Sequence, residues 1–215
     1  DADGKQEVFA ANANGSIVCL DLKGNIRWTF TPYDGVHRTP MYSVCVVKSN
    51  NKPYVVCGDF STDCYYLDAL TGKLVQKLPS KNYSKAKVFK IDKKYNFQHI
   101  ANFLRPIPLD KGNDLLLMHG SNNHMQSSGE FYVIEPLKNK VLSHVVKPLK
   151  QRGTIGDVRV VDPDGDGTYE VIFGSSVLNG NEFGRIEFSN SYTEAKLFSY
   201  PIQQKNVGKV SYRVN

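Results

Sequence analysis

The sequence predicts an all-β chain folded as a β-propeller of about four blades, each of four antiparallel strands. Three observations carry this expectation. A unit of short strands and turns recurs four times along the 215 residues. Val, Ile, Thr and aromatic residues are abundant, with 12 Tyr and 11 Phe, and such residues favour pleated, half-buried surfaces. No segment sustains the 3.6-residue apolar period of an amphipathic helix, so helices should be nearly absent.

The four copies follow in order. The first reads "EVFAANANGSIVCLDLKGNIRWTF" and the second "PYVVCGDFSTDCYYLDALTGKLVQKL". The third reads "DLLLMHGSNNHMQSSGEFYVIEPLKNKVLSHVV" and the fourth "EVIFGSSVLNGNEFGRIEFSNSYTEAKLFSY". Each opens with an apolar strand that ends in small or polar residues. A turn leads to an alternating strand ending in Asp21, Asp68, Glu135 or Asn190. Another turn and a third strand close the unit. In the first two copies that turn is "LKGN" or "ALTGK", where Gly supplies a positive φ. The copies start at Val8, Val55, Leu115 and Val171, spaced by 47, 60 and 56 residues. That period, with four strands per unit, is the mark of a propeller.

A further strand precedes three of the copies: "MYSVCVVK" at 41–48, "FLRPIPLD" at 103–110 and "DVRVVD" at 157–162. The two prolines of the middle one suit only a sheet edge or a strand end. The first copy lacks such a strand, but "VGKVSYRVN" at 207–215 resembles "IGDVRVVDP" at 155–163. The expected blades are therefore 1–35 plus 207–215, 36–100, 101–152 and 153–206, in one domain over 1–215. Pairing of the C-terminal strand with the first blade would close a four-bladed ring and remove two exposed edges. The alternative is a partial propeller. A monomer or a ring-completing dimer follows from these two arrangements.

The repeats resemble the pyrroloquinoline-quinone-dehydrogenase-like (PQQ-like, quinoprotein-like) propeller superfamily. "GSIVCLDLKGNIRWTF" (15–30) and "DCYYLDALTGKLVQKL" (63–78) carry the likeness through a Gly or Asp turn, Leu-Asp, Thr-Gly-Lys and a closing Trp. "HRTPMYSVCVV" (37–47) resembles that superfamily's inner strand. The resemblance implies a propeller but no single activity, since such propellers include dehydrogenases, lyases, sulfotransferases and scaffolds. Quinone-dependent members carry adjacent cysteines over the cofactor and a docking Trp in most blades. Here no cysteines are adjacent, Trp28 is the one Trp, and its counterpart in the second copy is Gln76. No PQQ is therefore expected.

The most chemical stretch is "DPDGDGTYE", residues 162–170, which also resembles FG-GAP-type calcium loops. Asp162, Asp164 and Asp166 take positions 1, 3 and 5, Thr168 position 7 and Glu170 position 9. Calcium takes six to eight oxygens at about 2.3–2.6 Å. Alternate residues of a curled loop converge, so these five are the expected Ca²⁺ ligands, with Thr168 offering its carbonyl. "DADGKQE" at the start of the chain is a weaker copy, with Asp1, Asp3 and Glu7 at matching positions and Lys5 adding positive charge.

No nucleophile elbow, phosphate loop or HExxH is present. "HGSNNH" (119–124) reads as turn and rim residues. His37, Arg38, Arg105 and Arg152 lie at the approaches to inner strands, where a ring of them would hold an anionic ligand by charge-assisted hydrogen bonds. The same groups suit packing against blade-to-blade carbonyls. Much of the net charge of +6 sits in the Lys-rich stretch 80–97, which suits a lysine-guarded edge or loop better than a polyanion contact to acidic glycan or nucleic acid. The four cysteines, Cys19, Cys45, Cys57 and Cys64, form no CxxC pair, which disfavours zinc. Cys45 and Cys57 flank one turn as a disulfide or as free thiols. No apolar run approaches the roughly 18 residues of a membrane span, and no signal peptide is present in this sequence.

The expectation that follows is a non-catalytic, calcium-stabilised binding or scaffold module. It would work outside the cytoplasm, extracellular or periplasmic, and contact protein or polysaccharide. An enzyme acting on acidic polysaccharide, of lyase type, is the alternative.

Overall fold

A computed structural model describes residues 4–32, 40–60, 63–82, 89–92, 95–97, 100–109, 112–121, 129–146, 153–177, 180–188 and 195–202. The first blade holds β1 (Glu7–Ala11), β2 (Ile17–Asp21) and β3 (Ile26–Phe30). The second holds β4 (Met41–Ser49), β5 (Lys52–Asp59), β6 (Cys64–Asp68) and β7 (Leu74–Leu78). A hairpin of β8 (Phe89–Asp92) and β9 (Tyr95–Phe97) follows. The third blade is β10 (Ile100–Ile107), β11 (Leu115–Ser121), β12 (Glu130–Glu135) and β13 (Lys140–Val146). The fourth is β14 (Gly153–Val161), β15 (Glu170–Val177), β16 (Gly180–Phe188) and β17 (Ala195–Ile202).

Each blade is an antiparallel meander in chain order. Asn50 and Asn51 turn β4 into β5 at φ of 52° and 62°, a conformation that Asn tolerates better than most side chains. The prolines of "FLRPIPLD" fit because β10 has a single partner, β11, with Pro106 opposite Leu116. An edge strand loses no ladder bond to a missing N–H on its open side.

Extensive packing between sheets runs β1 on β4, β4 on β10 and β10 on β14. Three apolar layers fill the spaces between blades. Ile17, Cys19 and Trp28 meet Met41, Val55 and Tyr65 between the first two. Tyr66, Leu78 and Val56 meet Leu104, Met118 and Tyr132 between the second and third. Phe131, Leu117 and Ile107 meet Val158, Val171 and Phe173 between the third and fourth. Burying each such side chain stabilises by about 1.5–3 kcal/mol, so blade stacking rather than any one sheet holds the fold.

The described strands form an arc that does not close, because no comparable packing joins the fourth blade to the first. The expected closing strand, 207–215, lies outside the described residues. Register also corrects one boundary. Val8, Val55 and Val171 face Leu20, Leu67 and Ile186, and in the third blade Leu116, not Leu115, faces the corresponding Ile134. In the fourth blade Glu187 lies opposite Glu170, as Asp21 lies opposite Glu7 in the first, while Asn190 lies outside the described residues. An apolar run of three leucines at 115–117 leaves register open until cross-strand pairing sets it.

Candidate functional site

The antiparallel path gives the arc two rims. One carries the turns that leave the inner strands, and there the loop 162–169 joins β14 to β15. Gly165 and Gly167 sit at φ of 74° and 85°, which lets the chain curl without a Cβ clash. One oxygen from each of Asp162, Asp164 and Asp166 falls within 4.8 Å of the others. Asp162 also organises the curl, accepting the Gly165 and Gly167 N–H groups at 2.8 and 3.0 Å. Asp166 accepts the Thr168 N–H at 2.7 Å. Three carboxylates on one exposed loop are a donor set suited to a hard cation. Glu170 stands apart from that group, as the first residue of β15 and 1% exposed.

In the first blade, Glu7 forms an ion pair with Arg27 across the sheet. Asp1 and Asp3 lie outside the described residues, as do His37, Arg38 and Arg152. Arg105 is described and faces the next blade. Its Nε donates to the Val158 carbonyl at 3.0 Å, its guanidinium lies 3.4 Å from Asp157, and it also donates to the Leu104 carbonyl at 2.9 Å. These bonds make it a clamp between β10 and β14.

The loops equivalent to 162–169 in the second and third blades bind each other. Lys48 N–H donates to the Asp114 carboxylate at 2.7 Å, and Asp114 N–H to the Lys48 carbonyl at 2.8 Å. Asn50 N–H reaches the Asn113 side chain at 2.8 Å, and Asn51 N–H the Gly112 carbonyl at 2.9 Å. Nothing in "KSNNK" or "DKGND" taken singly points to this latch. It needs both turns on one rim.

The opposite rim holds two buried carboxylates. Asp59, 2% exposed, accepts the Tyr65 hydroxyl at 2.9 Å. Burial first, and the Asp59 charge second, push the Tyr65 phenol well up. Glu130 accepts the Tyr132 hydroxyl and lies 2.9 Å from His144 Nε2. The imidazole stacks on the Tyr132 ring at 4.5 Å and 8°. Sequence reasoning missed this cluster. Its only local signal is Glu-x-Tyr on one face of β12, and His144 arrives through pairing with Tyr132.

The cysteines are free. Cys45 faces Val56 and Cys57 faces Val44, and they pack into different layers, so no disulfide joins them. Desolvation pushes the Cys45 thiol up to about 12 and raises Cys19, Cys57 and Cys64 as well. The Lys-rich stretch 80–97 contributes the β8–β9 hairpin, which pairs with no blade strand among the described residues. No described helix is long and apolar enough to cross a membrane.

Comparison with known proteins agrees with this architecture. The Dos1 propeller superposes with a TM-score of 0.60 at 11% identity, covering 93% of this chain and 45% of that one. BBS1N, solved in complex with ARL6DN, gives a TM-score of 0.61 at 11% identity, over 94% of this chain and 54% of that one. Such likeness is one of fold. Lambda-carrageenases from Pseudoalteromonas sp and Pseudoalteromonas carrageenovora are 37% identical over 180 residues, which is 83% of this chain and 18% of each relative. Residues 1–215 match the lambda-carrageenase beta-propeller domain throughout. The chain belongs to the lambda-carrageenase beta-propeller domain family.

Proposed function

We propose that this chain is a non-catalytic propeller module that works outside the cytoplasm and holds an anionic polysaccharide of the carrageenan kind. The observation that carries the reading is the family match over all of 1–215, together with relatives named for action on lambda-carrageenan. Carrageenan is sulfated, and the net charge of +6 complements it. The inter-blade bonds of Arg105, Asp114 and Asn50 suit a stiff platform, with calcium at Asp162, Asp164 and Asp166 stiffening one rim. Isothermal titration of the chain with lambda-carrageenan oligosaccharides tests it. Binding that weakens with salt, without release of new reducing ends, is expected. Absence of binding overturns it.

A second reading has the propeller take part in cleavage. The convergence of Glu130, Tyr132 and His144 on one rim favours it, since a carboxylate holding an imidazole is a proton-transfer arrangement. Turnover that Glu130→Gln abolishes, in a variant that still binds, would replace the first reading with this one.

A further inference from the structure

Arg105 and Arg159 occupy the same place in successive blades. Arg105 of β10 faces Leu117, and Arg159 of β14 faces Ile172. Leu117 and Ile172 each follow the residue, Leu116 or Val171, that faces an isoleucine of the next strand. Both arginines stand on the first strand of a blade, which has one unpaired edge. Arg105 reaches the next blade, where its Nε donates to the Val158 carbonyl at 3.0 Å and its guanidinium lies 3.4 Å from Asp157. Arg159 is held by its own strand instead. Its Nε donates to Asp157 at 3.0 Å, and its side chain is 57% exposed. A guanidinium has donors to spare after one such bond. Asp157 therefore orients Arg159, while its terminal nitrogens carry no bond among the described residues.

The apolar residues beside the two arginines differ in the same way. Val47 and Val56 in the second blade are buried against the third, and Ile107 and Leu117 in the third are buried against the fourth, none more than 1% exposed. Register places Val161 and Ile172 at these two positions in the fourth blade. There Val161 is 36% exposed and Ile172 half-buried. The fourth blade thus presents, partly uncovered, the face by which the second and third receive the next blade.

One segment, outside the described residues, carries the matching sequence. Laid over "IGDVRVVDP" at 155–163, "VGKVSYRVN" at 207–215 puts Val207, Val210 and Tyr212 on Ile155, Val158 and Val160. Those are residues by which β14 packs on the third blade. Gly208 falls on Gly156, where β14 bulges. Lys209 stands in the place of Asp157, so a main-chain carbonyl is the acceptor that remains. We infer that residues 207–215 dock on the fourth blade as the next inner strand, with Arg159 donating to the Val210 carbonyl as Arg105 donates to that of Val158. Such a strand has an open edge whose carbonyls need partners, and a guanidinium supplies a charge-assisted bond. The same docking covers Val161 and Ile172.

Amide hydrogen exchange of the 1–215 chain, read on peptides that span 207–215, tests the docking. These peptides should be protected in the parent protein. In Arg159→Gln they should exchange about tenfold faster, the factor set by loss of one hydrogen bond to a charged group. Peptides of β10 and β11 should exchange as in the parent, because Arg105 is untouched. Lys209→Asp restores the acid found at 157, so it should slow exchange at 207–215 and raise the melting temperature. It should do neither when combined with Arg159→Gln. Unprotected exchange across 207–215 in the parent, or equal protection in Arg159→Gln, overturns the docking. An equal effect of Lys209→Asp in both backgrounds overturns the contact with Arg159.

Discussion

The indole of Trp28 lies on Gly72 of the neighbouring blade and donates to the Ala69 carbonyl at 3.1 Å. A Cβ at Gly72 would sit 2.5 Å from two ring carbons, at a φ of 68° that disfavours any side chain. The pair wedges the β2–β3 sheet onto the β6–β7 turn. Gly72→Ala should therefore destabilise the protein by about 2–3 kcal/mol, read as a lower urea midpoint. Trp28→Phe keeps the stacking but drops the hydrogen bond, at about 1 kcal/mol. Trp28 is the one tryptophan, so its fluorescence reports the opening of this joint directly. An unchanged midpoint for Gly72→Ala would show that the wedge is absent.

The latch between the second and third blades should behave as a unit. Asp114→Ala leaves the Lys48 N–H without its 2.7 Å acceptor, a loss of about 1–2 kcal/mol. Amide hydrogen exchange at Lys48, Asn50 and Asn51 should accelerate together in this variant. Acceleration at Lys48 alone would mean that the four bonds are independent.

Asp68 links stability to acid. Its carboxyl is held down to about 2 from an ordinary 3.8, chiefly by Lys52, 2.8 Å away, with the Thr71 hydroxyl and N–H assisting. The folded value lies below the unfolded one, so the contribution is complete above pH 4 and is lost as pH falls from there towards 2. Lys52 is 55% exposed, so solvent screens the pair and the effect is small. Acid unfolding monitored in Asp68→Asn should begin from a lower plateau and fall less steeply across that window. A parallel, merely shifted curve would assign the acid response to other carboxylates.

If the Asp162 loop clasps calcium, the melting temperature rises with calcium and falls with chelator. A native-state ligand at about 100-fold its Kd stabilises by roughly 2.7 kcal/mol. Asp164→Asn should abolish the shift while leaving the melting temperature in chelator unchanged, because Asp162 and Asp166, not Asp164, make the loop's described backbone bonds. Equal melts in both buffers would remove the metal from the reading of this loop.

The thiols should be inert in the folded protein. Desolvation raises all four, with Cys45 at about 12, so little thiolate exists near neutrality. Reaction with a thiol reagent should follow global unfolding, and reductant should leave the melting temperature unchanged. Fast labelling of the native protein would indicate an open joint between blades.

Much of the fold is legible in the residues themselves. Alternation in "CYYLD" and "EVIFGS", with Gly at the "LTGK" turn, specifies strands and hairpins through local conformational preference. The recurrence of that pattern implies a propeller, because each sheet needs a neighbour to cover its face. The three-carboxylate loop was legible for the same reason, since Asp162, Asp164 and Asp166 are brought together by a turn their own glycines encode. The β8–β9 hairpin was not separated from its Lys-rich surroundings, where charge masks the short apolar alternation.

The sequence alone thus determined the strands, their order within each blade and the curled acidic loop, all set by interactions a few residues apart. Only the tertiary structure decided that the described strands form an open arc, that Leu116 rather than Leu115 holds register, and that Glu7 pairs with Arg27. It also decided that Arg105 clamps two blades and that His144 meets Glu130. Each of these joins residues on different strands or blades, where the outcome depends on packing volume and on which buried polar group finds a partner. Neither is written in any local stretch of the chain.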